Sequence, residues 1–165
     1  MSMIIDGTSG ATFPDLSVQA KSQTGPAFSA YSKTAQSIPT SSFTKIQFNV
    51  ENFDTANAYD STTNYRFQPL VAGYYQLNAC VAGGGGTVGY VQCYFQKNTV
   101  TQIAAGSSVP NNSLVGGKVA ASCLVYLNGS TDYVEFTLWQ NQGTAINLQT
   151  ADGDNVFSGF LARAA

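Results

Sequence analysis

The sequence predicts an all-β fold, a sandwich of two sheets, and three observations carry that prediction. From Ala27 onward, short segments alternate apolar and polar residues with a period of two. Between them lie "STTN", "GGGG", "AGSSVPNNS", "NGSTD", "NQGT" and "ADGD", rich in residues that supply positive φ or local side-chain capping. No stretch spaces its apolar residues as a helix does. At 165 residues the chain fits one domain with one core, in which about 70% of the unfolded surface is buried on folding.

The first two dozen residues, "MSMIIDGTSGATFPDLSVQAKSQTG", carry turns at Asp6-Gly7 and Ser9-Gly10 and few core-sized residues after Ile5. Residues 1–25 therefore read as a leader, neck or attachment segment ahead of a domain spanning 26–165. The apolar run "MSMII" is too short for a signal peptide or a membrane span, so neither Sec-type export nor membrane insertion is expected. Strands follow in "KIQFNV", "YRFQPLV", "YYQLNACVA", "VGYVQCYFQKN", "GKVAASCLVYLN", "DYVEFTLWQ", "AINLQ" and "NVFSGFLA". Their alternation assigns to the core Ile46, Phe48 and Val50; Tyr75, Leu77, Ala79 and Val81; and Val91, Cys93 and Phe95. Val119, Ala121, Cys123, Val125 and Leu127, with Val134, Phe136 and Leu138, complete it. About eight strands with inward residues this large suit a sandwich or jelly roll better than a barrel with a ligand lumen. The last strand breaks the pattern. Phe157, Gly159 and Leu161 fall on one side and Val156, Phe160 and Ala162 on the other, so both of its faces need covering.

Composition excludes several function classes. Charged residues are only 10% of the chain and the net charge is −2, with Lys21, Lys33, Lys45, Arg66, Lys97, Lys118 and Arg163 scattered singly, so no basic stripe exists to neutralise a nucleic-acid backbone. Histidine is absent, which removes the Ser-His-Asp and Cys-His catalytic arrangements. Cys80, Cys93 and Cys123 are odd in number and sit in apolar segments, which reads as free buried thiols; with no close Cys pair there is no ligand set for zinc or haem. "GGGTVG" at 84–89 fits G-x-G-x-x-G but leads into another period-two strand, so it is a hairpin loop rather than a nucleotide cradle. Asp54, Asp60 and the "DGDN" at 152–155 read as turn formers, and the sequons at Asn111 and Asn128 as chance matches.

Five blocks carry a family resemblance. "PAFSAYS" at 26–32, "FDTANAYD" at 53–60, "FQPLVAGYYQLN" at 67–78, "LNGSTDYVEF" at 127–136 and the terminal "FSGFLA" resemble, in order, the signature blocks of the complement component 1q globular domain, kin to the tumour necrosis factor fold. The leader's "DGTSGATFPDLSVQ" resembles segments near the ends of bacteriophage tail-fibre proteins. The resemblance implies a jelly roll of about ten strands that forms a homotrimer. It implies that the first and last strands share an inner sheet with those at 74–82 and 132–140, and that this sheet packs against neighbouring subunits. On that assignment Tyr74, Gln76, Tyr133, Glu135, Trp139 and Phe160 are trimer-interface candidates, and the trimer covers the second face of the last strand. Tyr90, Gln92, Tyr94 and Gln96, on the outer sheet, are the receptor-binding candidates. No cofactor or metal is expected; some relatives bind calcium near the trimer apex through loop carboxylates, and Asp152 and Asp154 are the residues that would serve as ligands in that case.

The function expected is therefore non-enzymatic binding: a trimeric tip of a phage tail fibre or similar virion appendage. It contacts a bacterial surface glycan or protein and joins other virion subunits through residues 1–25. Three copies of a weak site suffice through effective concentration. The alternative is a structural trimerisation cap or decoration without a ligand of its own. On either reading the protein is made in the host bacterial cytoplasm and resides in the virion.

Overall fold

The computed structural model of the chain describes residues 4–6, 10–12, 18–19, 25–84, 89–110 and 118–165. The body of the Gly-rich loop at 85–88, the sequon Asn111 and most of the leader lie outside the described residues. Every regular element among the described residues is a strand. In the leader, β1 (Ile4–Asp6), β2 (Gly10–Thr12) and β3 (Val18–Gln19) pair antiparallel as a small sheet of their own.

The first main sheet contains β4 (Ala27–Tyr31), β5 (Ser37–Ile38), β7 (Val50–Asp54), β10 (Gly73–Gly84), β13 (Lys118–Leu127), β15 (Ile146–Leu148) and β16 (Val156–Ala164). Its centre runs β7-β4-β16-β10, with β13 paired along β10 from Gly73↔Leu127 to Ala82↔Lys118. The second main sheet contains β6 (Thr44–Lys45), β8 (Tyr59–Asp60), β9 (Arg66–Phe67), β11 (Tyr90–Lys97), β12 (Thr101–Pro110) and β14 (Val134–Gln140). All the pairings are antiparallel, the two-sheet jelly roll that the alternation predicts.

The core lies between the sheets and is largely aromatic. Phe157 of β16 sits at its centre, with ring centroids at 4.8 Å from Phe28, 5.6 Å from Phe48, 5.7 Å from Tyr59 and 5.7 Å from Phe95. Of the expected core, Ile46, Phe48, Tyr75, Leu77, Ala79, Val81, Val91, Cys93, Phe95, Val119, Ala121, Val125, Leu127, Val134, Phe136 and Leu138 are buried. Cys123 is half-buried, and burial pushes the Cys93 thiol up to about 12 and the Cys123 thiol up to about 11, so both stay protonated. Val50 is the exception. The segment read as one strand, "KIQFNV", stays beside β14 through Lys45 and Ile46, whose N–H donates to the Phe136 carbonyl at 2.9 Å, then crosses to pair with β4 from Val50 onward, and Val50 ends up exposed.

Two turns built by carboxylates and amides hold the loops beneath the sheets. Asp60 accepts the backbone N–H groups of Thr62 at 3.0 Å and Thr63 at 2.8 Å, and those bonds hold its carboxyl well below the usual carboxylate range. Asn128 Oδ1 accepts N–H groups from Ser130, Thr131 and Asp132 at 3.0 Å each, with Gly129 at φ 71°. This second turn carries the chain from β13 in the first sheet to β14 in the second.

Candidate functional site

Both main sheets present an outward face, and the two differ in chemistry. On the first sheet, register aligns Ala27, Phe160, Gln76 and Leu124 in one row across β4, β16, β10 and β13, with Ser29, Ser158, Asn78 and Ser122 in the next. Phe160 is 49% exposed and Leu124 61%. Tyr74 and Tyr126 are also exposed, their rings in tilted contact at 5.5 Å and 58° beside them. Between the apolar residues runs a short polar network: Gln76 Nε2 donates to Ser122 Oγ at 2.8 Å, and Ser122 Oγ donates to Asn78 Oδ1 at 2.9 Å. Next to it the small residues Cys80, Ala120 and Ser158, with Val156, line an open depression of about 410 Å³.

The strand at 132–140 does not belong to that face. β14 pairs with β11, β6 and β9 in the second sheet, so Tyr133, Glu135 and Trp139 are not neighbours of Phe160, and their assignment to the inner sheet is corrected. The strand that does share the sheet is β13. Alternation shows which residues of a strand face the core, yet both sheets face the same core, so it leaves the sheet itself unassigned. Tyr74, Gln76 and Phe160 keep their place on the first sheet, and Leu124 and Tyr126 join them. A signal for the added pair exists in "SCLVYLN": Leu124 and Tyr126 stand at the positions opposite the core residues, the same two-faced apolarity that marks β16.

Tyr133 instead lies under the Arg66 guanidinium, 4.1 Å from its ring centroid, and shares a 2.8 Å hydrogen bond with Thr99. Glu135 is buried and accepts from Lys45 Nζ at 2.8 Å. Trp139 packs against Tyr90 at 5.3 Å. Tyr90 is exposed, Gln92 and Tyr94 are half-buried, and the Tyr94 hydroxyl donates to Gln92 Oε1 at 2.6 Å. Gln96 is buried, in register between Glu135 and Gln102, so it is not available at the surface as the other three candidates are. Phe43, unmarked in the sequence because it lies in a loop rather than in a periodic segment, packs edge-on against Tyr94 at 5.3 Å.

The carboxylates are occupied by structural partners. Asp54 caps the backbone N–H groups of Ala56 and Tyr59, Asp132 pairs with Lys97 at 2.7 Å, and Glu51 takes the Ser61 hydroxyl at 2.6 Å. Asp152 and Asp154 are ion-paired with Lys33 at 2.8 Å and Lys118 at 3.3 Å. Calcium takes six to eight oxygen ligands. Two carboxylates each neutralised by an ammonium, with no cluster of three metal-ligating side chains among the described residues, do not fit it.

Solved structures with the same arrangement decide the fold. The globular domain of zebrafish complement 1qA superposes with a TM-score of 0.59 at 16% identity, covering 86% of this chain and 99% of that one. The fold is the complement 1q and tumour necrosis factor jelly roll. Murine APRIL matches with a TM-score of 0.57 at 9% identity over 84% of this chain and 99% of its own. Eiger TNF from S. frugiperda matches with a TM-score of 0.54 at 6% identity, over 86% of this chain and 93% of its own. No family model and no curated protein matches the sequence.

Proposed function

We propose that the chain is a non-enzymatic, trimeric binding module, the tip of a bacteriophage tail fibre or a related virion appendage, which contacts a bacterial surface glycan or protein. The observation that carries the trimer is the outward face of the first sheet. Phe160, Leu124, Tyr74 and Tyr126 form one contiguous exposed apolar surface on consecutive strands. Such a surface on a soluble protein marks an interface. The Gln76–Asn78–Ser122 network within it is a polar layer of the kind that fixes register between subunits, and an open depression of about 410 Å³ lies beside it. A homotrimer closes this surface about a threefold axis and leaves the second sheet's outward face free to meet a receptor.

The non-enzymatic reading rests on the absence of histidine and on the structural partners of the acidic side chains. The appendage reading rests on the resemblance of the leader to tail-fibre segments, and it assigns residues 1–25 to attachment within the virion. Light scattering behind a sizing column tests the trimer. A species near three times 17.4 kDa, 52.2 kDa, that persists on dilution is expected, and a stable monomer refutes the reading. Deleting residues 1–25 is expected to abolish virion incorporation and leave the trimer intact; retained incorporation refutes the attachment role. Binding of the labelled trimer to cells of a bacterial panel separates the binding module from a structural cap without a ligand.

A further inference from the structure

We propose that the outward face of the second sheet is a sugar-binding shelf for a neutral pyranose of a surface glycan, with Phe43, Tyr94, Trp139 and Tyr90 as its rings and Gln92 and Thr137 as its polar contacts. The proposal rests on the binding-module reading and names the ligand class and the site.

The rings form two pairs on one surface. Phe43 meets Tyr94 at 5.3 Å and 65°, and Tyr90 meets Trp139 at 5.3 Å and 41°. Register puts Gln92 directly opposite Trp139, and Thr137 between Tyr94 on β11 and Lys45 on β6. Phe43 precedes Thr44, whose partner is Leu138, so Phe43 approaches from the β6 side and its contact with Tyr94 crosses over β14. Phe43 and Tyr90 are 49% and 40% exposed, so each pair offers a ring face to solvent.

Two polar observations point to a ligand. Thr137 is 3% exposed although its side chain is on the outward face, and its Oγ1 has no hydrogen-bond partner. An orphaned hydroxyl at that depth is destabilising unless something bonds it. Phe43, on the loop entering β6, and Tyr94, the residue opposite Thr137 on β11, are the rings nearest that hydroxyl in the register of the sheet. Gln92 is the second: its Oε1 is occupied by the Tyr94 hydroxyl at 2.6 Å, which orients the amide and leaves its Nε2 as the donor end.

Charge selects the class. Lys45 is the only cation at an outward position of this part of the sheet among the described residues, and Glu135 holds it at 2.8 Å. Arg66, on β9 of the same sheet, is held over the Tyr133 ring at the far end of β14, so among the described residues no free positive charge lies beside the four rings to favour a phosphate or a uronic acid. Rings, one oriented amide and one buried hydroxyl match a neutral sugar, which presents C–H groups on its faces and hydroxyls at its rim.

Trp139 is the only tryptophan of the chain, so its emission reads out the shelf directly. The full-length protein is titrated with maltohexaose, cellohexaose, chitohexaose, mannohexaose and galactohexaose, and with hexagalacturonate as the charged control. A saturable emission change with at least one neutral oligomer and none with hexagalacturonate is expected. Phe43→Ala and Tyr90→Ala are expected to weaken it about tenfold each without altering native mass or thermal unfolding, and Thr137→Val to weaken it while raising thermal stability. No response to any neutral oligomer up to its solubility limit, or tighter binding of hexagalacturonate, overturns the proposal. On bacterial cells, binding that survives Phe43→Ala and Tyr90→Ala, or that is lost to proteinase but not to periodate treatment of the cells, overturns the sugar shelf and leaves the binding module standing. A native trimer that binds no cells of the panel overturns the binding module itself.

Discussion

Phe160 gives the sharpest test of how the terminal strand is covered. It lies on the same strand as Phe157, three residues away, yet Phe157 is fully buried and Phe160 is 49% exposed. A phenylalanine side chain buries about 150–250 Å² when fully covered, so roughly 100 Å² of Phe160 remains open in the protomer. Covering that area at about 25 cal/mol per Å², and allowing for the Cβ that alanine retains, is worth about 2 kcal/mol per copy. A threefold assembly contains the change three times, so Phe160→Ala weakens trimer formation by about 6 kcal/mol, or roughly four decades in the association constant. The fold of the protomer is little affected, because the residue contributes an open surface rather than core. Sedimentation equilibrium over a concentration series measures both quantities, with far-ultraviolet circular dichroism as the control for folding. A variant that stays folded and shows the wild-type mass at every concentration refutes the assignment of this face to the subunit interface.

Phe157→Ala empties the centre of the aromatic core and is expected to cost about 3–5 kcal/mol in urea unfolding; a loss below 1 kcal/mol would mean that the core is not organised around it. Asn155 is buried, accepts the Ala82 N–H at 3.1 Å and donates to the Ser32 and Gln149 carbonyls at 3.4 and 2.6 Å, tying β10 to the segments that follow β4 and β15. Asn155→Ala strands those groups and is expected to cost about 2–4 kcal/mol, with unchanged stability as the contrary result. At Gly159 an added Cβ meets the Leu77 side chain, the Gln76 carbonyl and the Phe28 ring, so Gly159→Ala should destabilise by about 1–3 kcal/mol, which a thermal melt checks. The backbone N–H groups around Asp60 lower its carboxyl in the folded state, so its contribution is present above its unfolded value, about pH 4, and is lost as pH falls through the folded value. Urea midpoints of the wild type and Asp60→Asn should therefore differ at pH 7 and converge in acid, and a gap that does not change with pH would contradict this.

The parts of the fold that were legible in the sequence are those written in alternation. The inward series of β10, β11, β13 and β14 follows directly from period two, and all but Cys123 of those residues are buried. Alternation failed at Val50, where the chain leaves one sheet and enters the other within five residues, because a crossing resets the pairing without interrupting the apolar pattern. It also could not place β14, since a strand of either sheet turns its apolar face to the same core. The candidate site suffered from both limits. Tyr90, Gln92 and Tyr94 were readable as outward residues of one strand, whereas Gln96, two residues further, is buried in its row of the sheet. Phe43 carries no periodic signal because a loop brings it to the shelf.

Correcting the place of β14 changes what the outward aromatics mean. With Trp139 and Tyr133 on the first sheet, both would join Tyr74 in one interface, and the second sheet would keep only Tyr90 and Tyr94 with its glutamines. With β14 beside β11, the surface aromatics divide by chemistry as well as by place. The first sheet's face combines Phe160, Leu124 and a tilted pair of tyrosines around an internally satisfied Gln76–Asn78–Ser122 network, a surface whose polar groups already bond one another and whose remaining demand is for apolar contact. The second sheet's face combines four rings with an amide that keeps a donor and a hydroxyl that lacks a partner, a surface whose demand is for hydrogen bonds. A second copy of the chain meets the first demand and a ligand rich in hydroxyls meets the second. On the proposed reading the two faces take different partners, and substitutions that break one, Phe160→Ala or Phe43→Ala, are expected to leave the other intact.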